Sequence, residues 1–292
     1  YEISLGLVGS EMCIRDRMKH VLIYPVKKGY LDPVVVSNVA KKAESAGFYA
    51  FLSWDHYMLP DAPDTFDAWS LLAYLSGITE TIKLGTVVTP LPFRPPAQLA
   101  KIVSTTDVLS NGRTIVGVGA GWHRPEFEAF SNWDTPGVRV DRTKEALSLM
   151  TRLWQGETVD FMGDHNTNKS ALIMPSPIQR PFPPLWFGVR GKRMLKLASM
   201  YADAWIPTNI EPDEYSSVLT QLREMSDQVR PGAIVKGALQ NFELFLNADS
   251  CIERIKSFEE AGCEFYGSVW SYPAEEMVDR IDWYKESVMP YF

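Results

Sequence analysis

A short apolar run followed by a helical stretch recurs eight times along this chain, and that recurrence constrains the fold more than any other feature. The apolar runs fall at 20–26, 49–53, 82–88, 114–118, 185–187, 204–206, 239–246 and 264–269. Helical spacing covers 33–46, 66–76, 95–109 and 138–155 between the earlier runs, and a stretch up to 201, then 212–229, 250–261 and 273–288 between and after the later ones. Punctuation agrees: Asp32-Pro33 is an N-cap followed by proline at the first helical position, and Gly47, Gly77 and Asn111-Gly112 are stops. Strands apolar on both faces, joined through helices, pair in parallel by right-handed crossovers. Eight such units in about 275 residues predict an α/β fold, a (β/α)8 TIM barrel. A doubly wound sheet is the competitor. It calls for a nucleotide fingerprint after the first strand, and the chain has none there. One excursion breaks the rhythm between strands four and five. Residues 159–184 carry Gly163, Pro175, Pro177, Pro181, Pro183 and Pro184, too many for a core helix or central strand. They read as an insertion with a small hairpin, laid over one face and walling part of a substrate pocket.

Composition narrows the partners. A net charge of −7 argues against a general nucleic-acid binder, and no apolar run reaches the length of a membrane span. Cys13, Cys251 and Cys263 make no disulfide framework, so a reducing, cytoplasmic setting is expected. Residues 1–17 resemble translated read-through of a sequencing adaptor. They are expected to be a non-native extension, with Met18 as the natural start and 18–292 as a single barrel domain; a genuine N-terminal arm is the alternative.

In a barrel of this kind chemistry sits at the carboxyl ends of the strands, so the residues just after each strand carry the information. Trp54, Asp55 and His56 follow strand two; Thr86, Val87, Val88, Thr89 and Pro90 end strand three; Gly119, Ala120, Gly121 and Trp122 end strand four. Gly188, Val189, Arg190 and Gly191 follow strand five, with Lys192 and Arg193 beyond, and Trp270, Ser271 and Tyr272 follow strand eight. This rim is rich in tryptophan and glycine and poor in carboxylates, which suits a large flat ring better than a sugar or a metal. The turn 188–193 places two glycines and three basic residues where a strand becomes a helix, a place where backbone N–H groups bind a phosphate; a solvated basic first turn also fits these residues.

Residues 117–121 do not make a dinucleotide fingerprint. The third glycine is misplaced, and Pro125 with the aromatics after it does not open the required helix. They read as a strand end kept bare so that something packs on it, either a ligand or neighbouring chain. His56 is the histidine placed directly after a strand in a polar setting. It is a candidate proton donor or acceptor, or a capping residue facing solvent. The four scattered histidines show no zinc-hydrolase spacing, and no Gly-x-Ser-x-Gly elbow is present.

Several stretches, taken together, resemble the luciferase-like flavin and deazaflavin oxidoreductases: AKKAESAGF, Trp54-Asp55-His56, ITETIKLGTVVTP, PAQLAKIVSTTDVLSNGR, GVGAGWHRPEFEAF, PSPIQRPFPPLWFG and LASMYADAW. The wording around LSNGR and GAGW leans toward the branch using coenzyme F420, with FMN the alternative cofactor. The resemblance implies a (β/α)8 barrel, often a homodimer, that passes hydride between F420 and a small organic substrate. An FMN-dependent two-component monooxygenase and a non-catalytic flavin-binding barrel are the other readings. It implies a cofactor ring against Thr86, Val87, Val88 and Thr89, where relatives often hold a non-proline cis peptide. Gly119, Ala120, Gly121 and Trp122 would lie at the ring's edge, and the phosphate at Gly188, Val189, Arg190 and Gly191. Asp55 is implied as a cofactor contact, His56 as the acid–base residue, and Trp54 and Trp122 as substrate walls. Some relatives place a glutamate proton donor where this chain has Trp122; Glu126, a turn further on, reads as a poor substitute.

Overall fold

The computed structural model describes residues 18–60, 64–242 and 247–292; the segment 1–17 and the end of the seventh apolar run lie outside them. The first half runs β1 (Lys19–Tyr24), α1 (Pro33–Ala46), β2 (Ala50–Ser53), α2 (Ala68–Ser76), β3 (Lys83–Thr86), β4 (Thr89–Pro90), α3 (Pro96–Leu109), β5 (Thr114–Gly119), α4 (Arg124–Phe130) and α5 (Pro136–Trp154). The second half runs β6 (Val159–Met162), β7 (Thr167–Ala171), β8 (Leu185–Phe187), α6 (Lys192–Tyr201), β9 (Ala204–Trp205), α7 (Pro212–Val229), β10 (Lys236–Asn241), α8 (Ala248–Glu260), β11 (Cys263–Val269) and α9 (Met277–Ser287).

The large sheet is parallel, in the order β3-β2-β1-β11-β10-β9-β8-β5, and a further pairing of β3 with β5 closes it into a barrel of eight staves. The strands are apolar on both faces for a simple reason. Val21, Ile23, Ala50, Leu52, Ile115, Trp186, Ala204, Ala238 and Phe265 fill the barrel interior. Their alternates, among them Leu22, Tyr24, Phe51, Leu84, Val116 and Phe187, pack outward against the helices.

The third apolar run, expected as one strand over 82–88, is divided. The Val87–Val88 peptide is cis. Below it Gly85 faces Ile115, and beyond it Thr89 faces Val118, so β3 and β4 advance four residues while β5 advances three. One extra residue is therefore bulged out of the stave. The seventh run also shifts: its strand is Lys236–Asn241, earlier than the expected 239–246.

The insertion does contain a hairpin, β6 with β7. None of its residues lines the cavity at the carboxyl ends of the staves, so the expected part in a substrate wall there is not seen. Asp107 of α3, fully buried, accepts from Ile178 N (2.7 Å), Gln179 N (3.0 Å) and Gln179 Nε2 (2.7 Å). The Gln179 amide also donates to the Thr114 carbonyl at the start of β5, which is the amino end of the stave. The strap is thus held along the outside of α3, away from the carboxyl ends of the strands.

Candidate active site

A cavity of about 580 Å³ opens at the carboxyl ends of the staves. Trp54 and His56 line it beyond β2, Val87 and Val88 at the bulge, and Gly119, Ala120, Gly121 and Trp122 beyond β5. Gly188, Val189, Arg190 and Gly191 line it after β8, with Thr208 and Gln240 on the side of β9 and β10. Alternation decides which residues reach it. Trp54 and His56 do, whereas Asp55 between them points into the wall.

Asp55 was expected to touch the cofactor; its side chain is instead 1% exposed and absent from the cavity lining. It holds Arg94 by two bonds of 2.8 and 2.6 Å and accepts from Thr89 Oγ1 at 2.7 Å. Thr89 in turn accepts from Trp69 Nε1, and Thr86 Oγ1, 3.0 Å from Thr89 Oγ1, accepts from Gly117 N. Thr86 and Thr89, also expected at the ring, are fully buried in this network. The network clamps both sides of the bulge, so that Val87, Val88 and Pro90 line the cavity from this stave while Thr86 and Thr89 do not.

The glycines of β5 answer to the same bulge. A Cβ at Gly117 would lie 2.1 Å from the Thr86 carbonyl oxygen, and one at Gly119 would lie 2.6 Å from Val88 Cγ2. A Cβ at Gly188 would meet Val88 Cγ1 at 2.7 Å. Of the two uses weighed for bare strand ends, Gly117 serves the neighbouring chain; Gly119 and Gly188 both make room for Val88 and line the cavity.

The residue that sequence reading undervalued is Glu126. Pro125 was taken as an obstacle to a helix here, yet α4 spans Arg124–Phe130 with proline in its first turn, where no N–H partner is required. That helix carries Glu126 into the cavity wall, 1% exposed. Its Oε2 stands 2.9 Å from His56 Nδ1, while its Oε1 accepts from the Tyr57 and Met58 N–H groups, the latter at 3.2 Å. Burial pushes the Glu126 carboxyl up, but the bonds from His56, Tyr57 and Met58 outweigh it and hold the group below its ordinary value. An acid directly after a proline is a weak helix-start signal; nothing local announces a partner 70 positions away. Trp122, 62% exposed, sets its ring edge-on to His56 at 5.7 Å between centroids.

At the β8–α6 turn, Gly191 is the N-cap of α6 and no side chain caps that end. A Cβ at Gly191 would find nothing within 4 Å. The basic residues here are already engaged. Arg190 donates to the Asn209 carbonyl (2.8 Å) and pairs with Glu214, and Arg193 pairs with Asp141 at 2.6 Å. Trp270 and Tyr272 take no part in the cavity lining; Trp270 packs against Phe48 and Tyr284.

Among the described residues no helix is long and apolar enough to cross a membrane. The ketoreductase of phthiodiolone and phenolphthiodiolone dimycocerosates from Mycobacterium tuberculosis is 31% identical over 205 residues, 68% of this chain and 53% of its own length. The chain thus spans about half the length of the curated relatives it matches. Two solved structures share the fold. An F420-dependent secondary alcohol dehydrogenase, in complex with an F420–acetone adduct, superposes with a TM-score of 0.82 at 21% identity, over 94% of this chain and 99% of that one. The FMN-bound oxygenating component of 3,6-diketocamphane monooxygenase from Pseudomonas putida gives 0.75 at 16%, over 94% and 98%. The luciferase-like monooxygenase family model matches residues 32–234, and with the closed barrel it shows that the chain belongs to that family of F420- or FMN-dependent oxidoreductases.

Proposed function

We propose that the protein transfers a hydride between coenzyme F420 and a ketone or secondary alcohol. The observation that carries this reading is the His56–Glu126 pair in the wall of a largely apolar cavity. The walls fit a flat ring: Gly119, Gly121 and Gly188 leave backbone rather than side chains against the cavity, and Gly191 offers an uncapped helix start to a phosphate. Val87, Val88, Gly119, Ala120, Gly121 and Trp122 would hold the ring, and Gly188, Val189, Arg190 and Gly191 the phosphate. When bound, the deazaflavin supplies or takes the hydride.

The protein's own residues handle the proton. Glu126 accepts at Nδ1 of His56, which fixes the tautomer and leaves Nε2 for the substrate. In the direction of reduction the ketone carbon gains hydride and its oxygen gains the Nε2 proton of a His56 imidazolium, which leaves the neutral ring with its proton on Nδ1 beside Glu126 and yields the alcohol. In oxidation His56 takes the hydroxyl proton. Glu126 is a positioning residue that stays ionised beside the imidazole. Trp122 stands edge-on to the His56 ring, and Phe127 lines the cavity next to Glu126 in sequence. The names of the Mycobacterium ketoreductase and of the acetone-bound dehydrogenase support a carbonyl–alcohol couple.

The test is to titrate the purified protein with F420 and with FMN, following fluorescence, and then to monitor oxidation of reduced F420 on adding ketones. Binding of F420 and ketone-dependent oxidation are expected. Absence of F420 binding sinks the proposal. FMN binding with oxygen uptake in the presence of reduced FMN gives the monooxygenase reading, and cofactor binding without turnover on any carbonyl gives a binding protein.

A further inference from the structure

The cavity has two kinds of wall. One, at the ends of β5 and β8, is rich in glycine, with Gly119, Gly121, Gly188 and Gly191. The other, at the ends of β2, β9 and β10, is built of side chains: Trp54, Ile206, Thr208, Gln240 and Phe242. Among the described residues this second wall is apolar or neutral apart from His56, which also follows β2. Among the described residues three ionisable side chains line the cavity, His56, Glu126 and Arg190, and each already has a partner of opposite charge or hydrogen-bonding complement. Lys27 stands over the Trp54 ring at 5.9 Å and does not line the cavity. A carboxylate or phosphate on the substrate would lose its hydration here and find no unpaired counter-charge among the described lining residues.

Two polar atoms on the side-chain wall are left over. Trp54 Nε1 and Thr208 Oγ1 are shielded from solvent and have no hydrogen-bond partner among the described residues. Buried donors without partners are uncommon in folded proteins, and both of these belong to residues that line the cavity. The indole N–H donates; the hydroxyl donates or accepts.

Resting on the hydride-transfer reading above, we propose that the substrate is uncharged, with an apolar body and a second, non-reacting oxygen that Thr208 and Trp54 hydrogen-bond. Ile206 and Phe242 cover the apolar body. His56 meets the reacting oxygen, and the second wall selects the rest of the molecule by its lack of charge.

Three probes of one length test this: 8-hydroxyoctan-2-one, 2-octanone and 7-oxooctanoate. With F420 reduced and in excess, kcat/KM for the hydroxyketone is expected to exceed that for the keto-acid by at least about tenfold, since the anion meets no counter-charge. Thr208→Val is expected to abolish the advantage of hydroxyketone over 2-octanone, a ratio that general damage to the fold does not move. Thr208→Lys is expected to shift preference toward 7-oxooctanoate. The same probes are titrated into the protein without cofactor, following indole fluorescence. The neutral probes are expected to bind more tightly than the anion, so the substrate class is read even if F420 fails to bind, an outcome that sinks only the hydride reading. Equal or tighter binding of 7-oxooctanoate, or binding of none of the three, overturns the inference whatever the cofactor.

Discussion

His56 and Glu126 stand 70 positions apart in the chain and 2.9 Å apart in the fold. If the imidazole carries the proton, His56→Ala is expected to lower kcat for ketone reduction by about 10²–10⁴-fold. Glu126→Gln keeps the shape and removes the charge; at least about a tenfold loss in kcat is expected, with the larger part in kcat rather than KM. Stopped-flow oxidation of reduced F420 checks both. Glu126 also carries a pH signature. Its carboxyl is held below its ordinary 4.5, so the folded state binds fewer protons than the unfolded chain in the window below that value. Its contribution to stability is complete above pH 4.5 and is lost as the pH falls through the depressed value. The Tm difference between wild type and Glu126→Gln is therefore expected to shrink on acidification below that point. Asp55 teaches the complementary lesson: a carboxylate next in sequence to the proposed acid–base histidine belongs, through strand alternation, to the wall and to Arg94.

Among the elements, the bulge between β3 and β4 shapes the cavity, and the glycines of β5 are sized to it. Gly117→Ala drives a Cβ into the Thr86 carbonyl oxygen and is expected to cost about 1–3 kcal/mol or more of stability, because backbone cannot move aside as a side-chain tip can. Gly191→Ala meets no atom within 4 Å at φ −69° and is expected to change stability by less than about 0.5 kcal/mol while weakening F420 binding if phosphate rests there. Thermal melts and fluorescence titration of the pair separate packing from binding. The insertion is anchored by Asp107. Asp107→Ala strips the acceptor from the Ile178 and Gln179 N–H groups, and a loss of about 1–3 kcal/mol is expected, with faster proteolysis within 155–184. Activity per folded molecule is expected to persist, because no residue of the strap lines the cavity.

At the scale of the molecule, the barrel is sealed by contacts between its two ends in sequence. His20 of β1 lies 2.9 Å from the Tyr284 hydroxyl of α9 and packs edge-on to Tyr284 and Phe292. Burial lowers its pKa from 6.5 to about 4. The folded state therefore binds fewer protons at His20 than the unfolded chain between those values, and stability is lost as the pH falls from 6.5 toward 4. The effect is of order 3 kcal/mol, from about 1.4 kcal/mol for each unit of difference. Urea titrations at pH 7 and pH 4.5 are expected to show a smaller difference for His20→Gln than for wild type.

The barrel itself was legible in the sequence because each stave needs only a local signal: apolar faces on both sides, a helix to cross back, and a stop. The position of Trp54, His56 and the glycines at strand ends followed from that arrangement. What only the tertiary structure decided are pairings between distant segments. The helix α4 was obscured because a proline in a first turn looks like a breaker until the cap is seen. The single extra residue at Val87–Val88, the turning of Asp55 toward Arg94, the engagement of Arg190 by Glu214 and the outward course of the Pro-rich strap depend on which side chains meet across the closed sheet. Local propensity is written along the chain. Register, burial and counter-charge exist only between parts of it, and the chemistry of this site is assembled from those.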